Sequence, residues 1–245
     1  MDQPATLKPL GARLAILLFV GFVVVQVVAG FAIGIWVGVW KAITSGVVTA
    51  PSKDLVLLTA MWGAVVGSIA SGIFLLLAVR RRFPELGWNR GGAGTVPAAV
   101  GVGIVLAGLV LALITAIPPA HSRNFGMLVQ ASMSRGAALY LWAFLGIVLA
   151  PLLEELMFRG ILWTGFSHSF DARIAAVLTT GLFVAMHLPE TGRYWPAILG
   201  VTLLGAATLS ARVWSRSLAP AIALHLSYNV VICGTVLVGS ISGKE

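Results

Sequence analysis

Long apolar runs alternate with short polar segments along this chain, and each run is long enough to cross a membrane. A helix needs about 20 predominantly apolar residues to span a bilayer, and it satisfies its own backbone hydrogen bonds there. The runs are 14–40, 55–79, 96–117, 136–163, 172–188, 194–211 and 218–239. The pattern predicts an all-α fold, a polytopic bundle of about seven to eight transmembrane helices.

Prolines and polar clusters set the expected ends of these helices. Pro118 and Pro119 follow the third run and Pro189 follows the fifth, so we expect both helices to stop there because proline lacks the backbone N–H. The residues 190–193 are then predicted to form a tight turn. The segment 120–135 mixes apolar and polar residues and predicts a short interfacial or re-entrant helix.

Three glycines of the first run, Gly30, Gly34 and Gly38, are spaced four residues apart and share one helix face. A row of small residues allows another helix to approach closely. We expect this face to pack within the bundle, and a homodimer contact is the alternative.

The composition agrees with a membrane protein. Of 245 residues, 59% are hydrophobic and 10% are charged, and the mean hydropathy is +1.00. A soluble domain carries about a quarter charged residues. The length suits one integral membrane domain, 1–245, with the ionisable motifs in its half 136–235. The single cysteine, Cys233, excludes a disulfide within the chain and a cysteine-based zinc site.

The charge is +8, with 16 Lys and Arg against 8 Asp and Glu. Because the cations flank apolar runs, membrane orientation and anionic lipid headgroups account for them, and no nucleic-acid partner is predicted. A cytoplasmic N-terminus places nine cations inside: Lys8, Arg13, Arg80, Arg81, Arg82, Arg90, Arg173, Arg212 and Arg216. It places six outside: Lys41, Lys53, Arg123, Arg135, Arg193 and Lys244. The excess of cations on the inner side predicts that the N-terminus is cytoplasmic.

The fourth run carries Glu154, Glu155 and Arg159 at membrane depth. Ionisable groups there are costly and are functional candidates. Glu155 and Arg159 are four residues apart with the acid first, the favourable order for a pair on one helix face. The residue four after Glu154 is Phe158, so Glu154 has no such partner and is predicted to be free for proton chemistry. Pro151 is predicted to kink the helix and free a carbonyl just before the carboxylates.

Two later runs carry further polar groups at helical spacing. Phe183 and His187 are four residues apart in the fifth run, and His225 and Asn229 are four apart in the seventh. Taken alone, a histidine at membrane depth is more often a hydrogen bond between helices than a ligand, and Asn229 is equally well a helix–helix contact. Helical rise places all of them within a hydrocarbon core about 30 Å thick, so they can converge with Glu154 in one cavity.

The ordered motifs resemble the CPBP intramembrane metalloproteases, also called the CAAX protease and bacteriocin-processing family or the Abi family. They are Glu154-Glu155-x-x-x-Arg159, Phe183-x-x-x-His187 and His225-x-x-x-Asn229. The resemblance covers about 136–235 and implies a helical bundle with a polar cavity open to the cytoplasm. One departure is the seven predicted spans, where characterised prenyl-protein endopeptidases have eight.

The resemblance implies hydrolysis of a peptide bond in a membrane-associated peptide or protein, with CAAX-type processing as one form. Glu154 and His187 would activate water, and His225 and Asn229 would complete the site. The implied catalytic set is Glu154, Glu155, His187, His225 and Asn229, with Arg159 and Phe183 in support.

Two mechanisms stay open at this point. Glu154, His187 and His225 can form a three-ligand zinc site with an open position, or they can activate water without a metal. No His-Glu-x-x-His signature is present. Hydrolysis also needs a donor for the developing oxyanion, and the Asn229 amide can supply it.

Two other functions are considered. A proton-coupled transporter also uses Glu and His at membrane depth, but transporters usually show two related halves, whereas these motifs all fall in the second half. A non-catalytic partner protein, as in bacteriocin immunity, would be expected to lose Glu154 or His187, and both are present. We expect an integral protein of the bacterial inner (plasma) membrane and make no prediction of its oligomeric state.

Overall fold

The structure, a computed structural model, describes residues 8–45, 51–119 and 126–242, which fold into helices and connecting turns without strands. Seven of the helices in these ranges are long and apolar enough to cross a membrane. The helices are α1 Ala12–Ser45, α2 Lys53–Val79, α3 Thr95–Ala116, α4 Met127–Ser132, α5 Ala137–Ser167, α6 Ala172–Thr191, α7 Trp195–Ser215 and α8 Leu218–Ser242. The predicted all-α transmembrane bundle is confirmed.

The short helix α4 is the element predicted within 120–135. It precedes α5 and packs against α2, α5 and α6. Residues 120–125 of that segment lie outside the described residues, as do Arg123 and Lys244 of the orientation prediction.

The fifth span differs from the prediction at its end. The helix α6 does not stop before Pro189 but continues to Thr191, so the residues 190–193 are not all turn. A proline in the last turn removes only one hydrogen bond. The Thr191 hydroxyl donates to the His187 carbonyl at 3.2 Å, and Gly192 N–H donates to the Leu188 carbonyl at 3.1 Å. These bonds hold the final turn.

The glycine row of α1 packs only in part. A Cβ atom on Gly63 of α2 would lie 3.1 Å from the Gly30 Cα, so the two helices approach closely at this point within the bundle. Among the described residues, no atom outside the local turn of α1 lies within 4 Å of where a Cβ would be at Gly34 or Gly38. The prediction of close packing inside the bundle is therefore correct for Gly30 and wrong for the other two.

The start of α1 is joined to two later loops at one end of the bundle. Leu10 N–H donates to Glu85 Oε1 at 2.5 Å, and Ala12 N–H donates to Ser169 Oγ at 2.9 Å. His168 Nδ1 donates to the Leu10 carbonyl at 3.1 Å. We call these three bonds the N-terminal clasp.

The core that carries the motifs is aromatic. The Phe158 ring on α5 meets the Phe19 ring of α1 at 5.9 Å and the Phe183 ring of α6 at 5.2 Å, both edge to face. Phe158 and Phe183 are buried. This cluster fixes α1 and α6 against the motif-bearing middle of α5.

Candidate active site

The helix α5 widens on both sides of Pro151. Its turns at Leu145–Leu149 and Glu155–Leu162 are π-helical, with the N–H of one residue bonded to the carbonyl five residues earlier. In that register the Gly146 carbonyl would accept from residue 151, which is a proline and has no N–H. The Asn229 side-chain amide donates to the Gly146 carbonyl at 2.7 Å instead. The carbonyl that Pro151 leaves free is thus held by a motif residue of α8.

The ion pair predicted inside α5 is formed and fully buried. Arg159 Nη1 lies 3.1 Å from Glu155 Oε1, and both side chains have 0% exposure. Arg159 Nη2 also donates to the Gly205 carbonyl of α7 at 2.9 Å. The pair therefore links α5 to α7 as well as neutralising its own charges.

Phe183 covers the guanidinium of this pair. The Arg159 Cζ atom lies 4.3 Å from the Phe183 ring centre, a cation–π distance. The same ring lies 4.5 Å from the His187 ring and 6.0 Å from the His225 ring. The phenylalanine of the second motif thus packs against the buried cation and against both imidazoles.

His225 is held by Glu155. The His225 Nδ1 atom lies 2.7 Å from Glu155 Oε1, and its side chain is 2% exposed. Because an ionised carboxylate only accepts hydrogen bonds, Nδ1 carries the hydrogen. With Nδ1 engaged by Glu155, the Nε2 atom is the ring nitrogen that faces Glu154.

His187 is held in the same tautomer by the backbone. Its Nδ1 atom lies 2.8 Å from the Phe183 carbonyl, which can only accept, so Nδ1–H is again the donor. The His187 side chain is 28% exposed. Its Nε2 lone pair is therefore free and accessible.

The two Nε2 atoms converge on one oxygen of Glu154. His187 Nε2 and His225 Nε2 each lie 3.8 Å from Glu154 Oε2. Glu154 is 21% exposed, whereas Glu155 is fully buried. The structure thus brings together three motifs from α5, α6 and α8, and it leaves Glu154 as the accessible carboxylate.

Glu154 and His187 line a cavity of about 160 Å³ between five helices. The polar residues that line it are Gln26, Ser68, Glu154, His187 and Glu190. Its apolar walls come from α1, α2, α4, α5 and α6, and they include Phe22, Leu128, Leu153 and Met186. The cavity can therefore present polar groups to a peptide bond while enclosing it in an apolar surface.

Glu154, His187 and His225 are the residues that would hold a zinc ion. Zinc takes N and O ligands at about 2.0–2.2 Å in tetrahedral geometry, which places ligand atoms roughly 3.3–3.5 Å apart. Both separations here are 3.8 Å. Within the described ranges, no group of three His, Cys, Asp or Glu side chains has metal-site spacing. The donor types suit zinc, but the side chains as placed do not form a zinc site.

Three cavity residues were not singled out from the sequence. Glu190 lies three residues after His187 and shares its helix face, a signal obscured by the turn predicted after Pro189. Gln26 is the only strongly polar residue between 14 and 40, which marks it as a candidate. Ser68 carries no comparable signal because hydroxyl groups are common in transmembrane helices.

The comparisons with known proteins agree with the motifs. No curated protein and no solved structure matches the chain. Residues 136–231 match the family model described as type II CAAX prenyl endopeptidase Rce1-like. All three motifs fall within these residues. The predicted resemblance is therefore confirmed over the motif-bearing half of the chain, and at the level of the family it supports a CAAX-type intramembrane protease.

Proposed function

We propose that this protein is an intramembrane endopeptidase that uses Glu154 to activate water. The observation that carries the proposal is the equal distance, 3.8 Å, from Glu154 Oε2 to the Nε2 atoms of His187 and His225. A water molecule at hydrogen-bond distance from all three atoms would lie beside the cavity. The Rce1-like match over residues 136–231 supports this class of reaction.

The three converging atoms have a consequence for protonation. An ionised Glu154 and two imidazoles with hydrogen on Nδ1 all present acceptors. One water has only two hydrogens, so it cannot satisfy three acceptors. We propose that one additional proton is shared within the cluster and completes these hydrogen bonds. His225 suits the proton because Glu155 accepts from its other ring nitrogen at 2.7 Å.

Hydrolysis then follows from these positions. Glu154 takes a proton from water, and the water oxygen bonds to the carbonyl carbon of the substrate as the carbonyl electrons move onto oxygen. A protonated His225 stabilises that oxyanion by a hydrogen bond from its Nε2–H and keeps its proton. The C–N bond then breaks, and Glu154 returns its proton to the leaving amine. His187 orients the water through its Nε2 lone pair.

Asn229 has a second available amide hydrogen in this scheme. One hydrogen is engaged with the Gly146 carbonyl. The other is the donor that we propose for the oxyanion alongside His225. Phe183 and Arg159 support the site from behind, since the ring packs against both imidazoles and against the guanidinium.

The proposed substrate is a membrane-associated peptide or protein. The family description names a CAAX prenyl endopeptidase, and CAAX-type processing is the form of the reaction that this description supports. The apolar walls of the cavity suit an uncharged peptide segment at membrane depth.

The test is a comparison of peptides released from membranes that contain wild-type or Glu154→Gln protein, by mass spectrometry. We expect a set of cleavage products present with wild-type protein and absent with Glu154→Gln. The matched control is Asp54→Asn, which changes an exposed carboxylate at the start of α2 and should give the wild-type set. Identical peptide sets from wild-type and Glu154→Gln membranes would contradict the proposal.

Zinc is a separate question with its own measurement. If Glu154, His187 and His225 close around zinc, purified protein should contain about one zinc per chain by elemental analysis, and chelation should abolish turnover. Full turnover by protein shown to be free of metal would exclude zinc and leave the water mechanism intact.

A further inference from the structure

A carboxylate outside the three motifs joins the short helix α4 to the catalytic helix α6. Glu190 Oε2 accepts from Leu128 N–H at 3.0 Å and from Val129 N–H at 3.4 Å. Gly126 N–H donates to the Glu190 backbone carbonyl at 3.3 Å. The first N–H groups of a helix have no partner within it. Gly126 occupies the N-cap position of α4 and has no side chain that could accept these bonds. The carboxylate of Glu190, more than 60 residues later in the chain, accepts them instead. We call these three bonds the Glu190 bridge.

The bridge forms one wall of the cavity beside the catalytic groups. Leu128, Glu190 and His187 all line this cavity. Four of the five helices that contribute to the wall are full spans, and α4 is the exception with six residues. The position of α4 relative to His187 is therefore set by the bridge and by the packing of α4 against α2 and α5.

The cavity is small for a peptide substrate. Its volume is about 160 Å³, whereas sites that enclose small ligands usually hold about 300–1,000 Å³. A peptide segment around the scissile bond can fit only if a wall moves or if its side chains are small. The wall most easily displaced is the shortest one, α4.

We propose that Glu190 is a positioning residue that determines substrate specificity, because its bridge to α4 sets the width of the cavity next to Glu154 and His187. With the bridge intact, the site accepts small side chains beside the scissile bond. With the bridge broken, α4 moves away from α6 and larger side chains enter. The predicted change in substrate selection rests on the proposed function. The predicted movement of α4 does not depend on it.

Two substitutions break the bridge by different routes. Glu190→Ala removes the acceptor. Gly126→Ala keeps Glu190, but its Cβ would overlap the Glu190 carboxylate, so the carboxylate must move and its bonds to α4 break. The backbone at Gly126 has a φ of −64°, which alanine adopts without strain. The matched control is Gly101→Ala on α3, where a Cβ meets no atom within 4 Å. Glu190→Gln retains an acceptor oxygen and should restore the wild-type behaviour.

The first readout needs no enzyme activity. In a Cys233→Ser background, Ser68→Cys places a thiol on the cavity wall at a position 5% exposed. Its rate of modification by N-ethylmaleimide, measured by mass spectrometry in detergent, should rise about tenfold with Glu190→Ala and with Gly126→Ala, since loss of a few hydrogen bonds shifts an opening equilibrium by about that factor. Gly101→Ala and Glu190→Gln should leave the rate unchanged. Ser71→Cys is the control for a general loosening of the bundle, because Ser71 is fully buried and does not line the cavity. Its rate of modification should not change in the bridge variants.

The second readout is substrate selection. For peptides that differ only in a residue next to the scissile bond, the ratio of kcat/KM for Trp over Ala should rise about tenfold in both bridge variants and return to the wild-type ratio in Glu190→Gln.

Unchanged modification of Ser68→Cys in both bridge variants would overturn the inference, and so would an equal rise at Ser71→Cys. A failure of the wild-type protein to hydrolyse any peptide would count against the proposed function, while the modification rates would still decide the role of the wall.

Discussion

At the scale of single residues, Glu155 has a second contact that its helix spacing does not reveal. The four-residue spacing predicts the pair with Arg159, because both lie in one helix. The bond from His225 to the same oxygen joins residues 70 positions apart and depends on how α8 packs on α5. The spacing of residues within one helix cannot predict a contact between two helices. Glu155 therefore neutralises Arg159 and also fixes the tautomer of the His225 imidazole.

Replacing Glu154 by Gln should separate chemistry from stability. The change keeps the side-chain shape but removes the base, and loss of a general base costs about 10²–10⁴ in rate. The side chain is 21% exposed and in no buried pair, so thermal unfolding in detergent should change little. The measurements are turnover and the Tm of the same preparation. Retained turnover would show that Glu154 is not the base.

Replacing Glu155 by Gln should lower stability. It leaves Arg159 buried without its partner, and breaking a buried pair from one side costs about 3–5 kcal/mol in soluble proteins. The double change Glu155→Gln with Arg159→Met should recover part of that stability. Turnover should stay low in the double variant, because His225 has lost its carboxylate. A stable but inactive Glu155→Gln protein beside an active Glu154→Gln protein would reverse the two roles.

At the scale of helices, the sequence predicts where spans begin and end better than how they bend. Polar residues and prolines mark the ends of most spans, and only α6 runs past its proline. The π-helical turns of α5 were not predictable, since a hydrophobic pattern reports which residues are apolar and not the register of backbone bonds. Pro151 indicates a freed carbonyl, but that Asn229 would fill it follows only from the packing of α8.

Because Asn229 bonds to the carbonyl that Pro151 leaves free, substitutions at these two positions should have non-additive effects on the free energy of unfolding. Asn229→Ala leaves the Gly146 carbonyl without a donor and should lower the free energy of unfolding by about 1 kcal/mol, within the range for hydrogen bonds between membrane helices. In a Pro151→Ala background, residue 151 gains an N–H that can bond to Gly146. In that background, Asn229→Ala should lower the free energy of unfolding by less than it does in the wild-type protein. A double-mutant cycle from unfolding in denaturing detergent measures it, and equal losses in both backgrounds would disprove the link.

At the scale of the whole molecule, the loops that the orientation prediction groups together do lie together. The N-terminal clasp joins residues 10–12 to Glu85 and to 168–169. Asn89 Nδ2 donates to the Arg216 carbonyl at 3.1 Å at the same end. Most of the cations assigned to the inner side are therefore neighbours. Which compartment they face is still a prediction.

Cysteine labelling tests that orientation. In a Cys233→Ser background, Trp88→Cys should react with an impermeant maleimide only after cells are permeabilised, because Trp88 is exposed on the proposed cytoplasmic face. The matched control, Arg193→Cys, is exposed in the turn at the opposite side and should react in intact cells. Labelling of Trp88→Cys in intact cells would reject the cytoplasmic N-terminus.

The N-terminal clasp also bears on how the chain is assembled during synthesis. Ribosomes deliver α1 first, but its partners at Glu85 and Ser169 emerge much later, and Ser169 lies beyond α5. A nascent chain that stops before residue 168 can therefore form the bond to Glu85 but not the bonds to His168 and Ser169. Only after the motif-bearing helix has been made can the first helix dock against it. Residues 10–12 thus complete their contacts late, and a protease that cuts near residue 12 should attack truncated nascent chains faster than the finished protein.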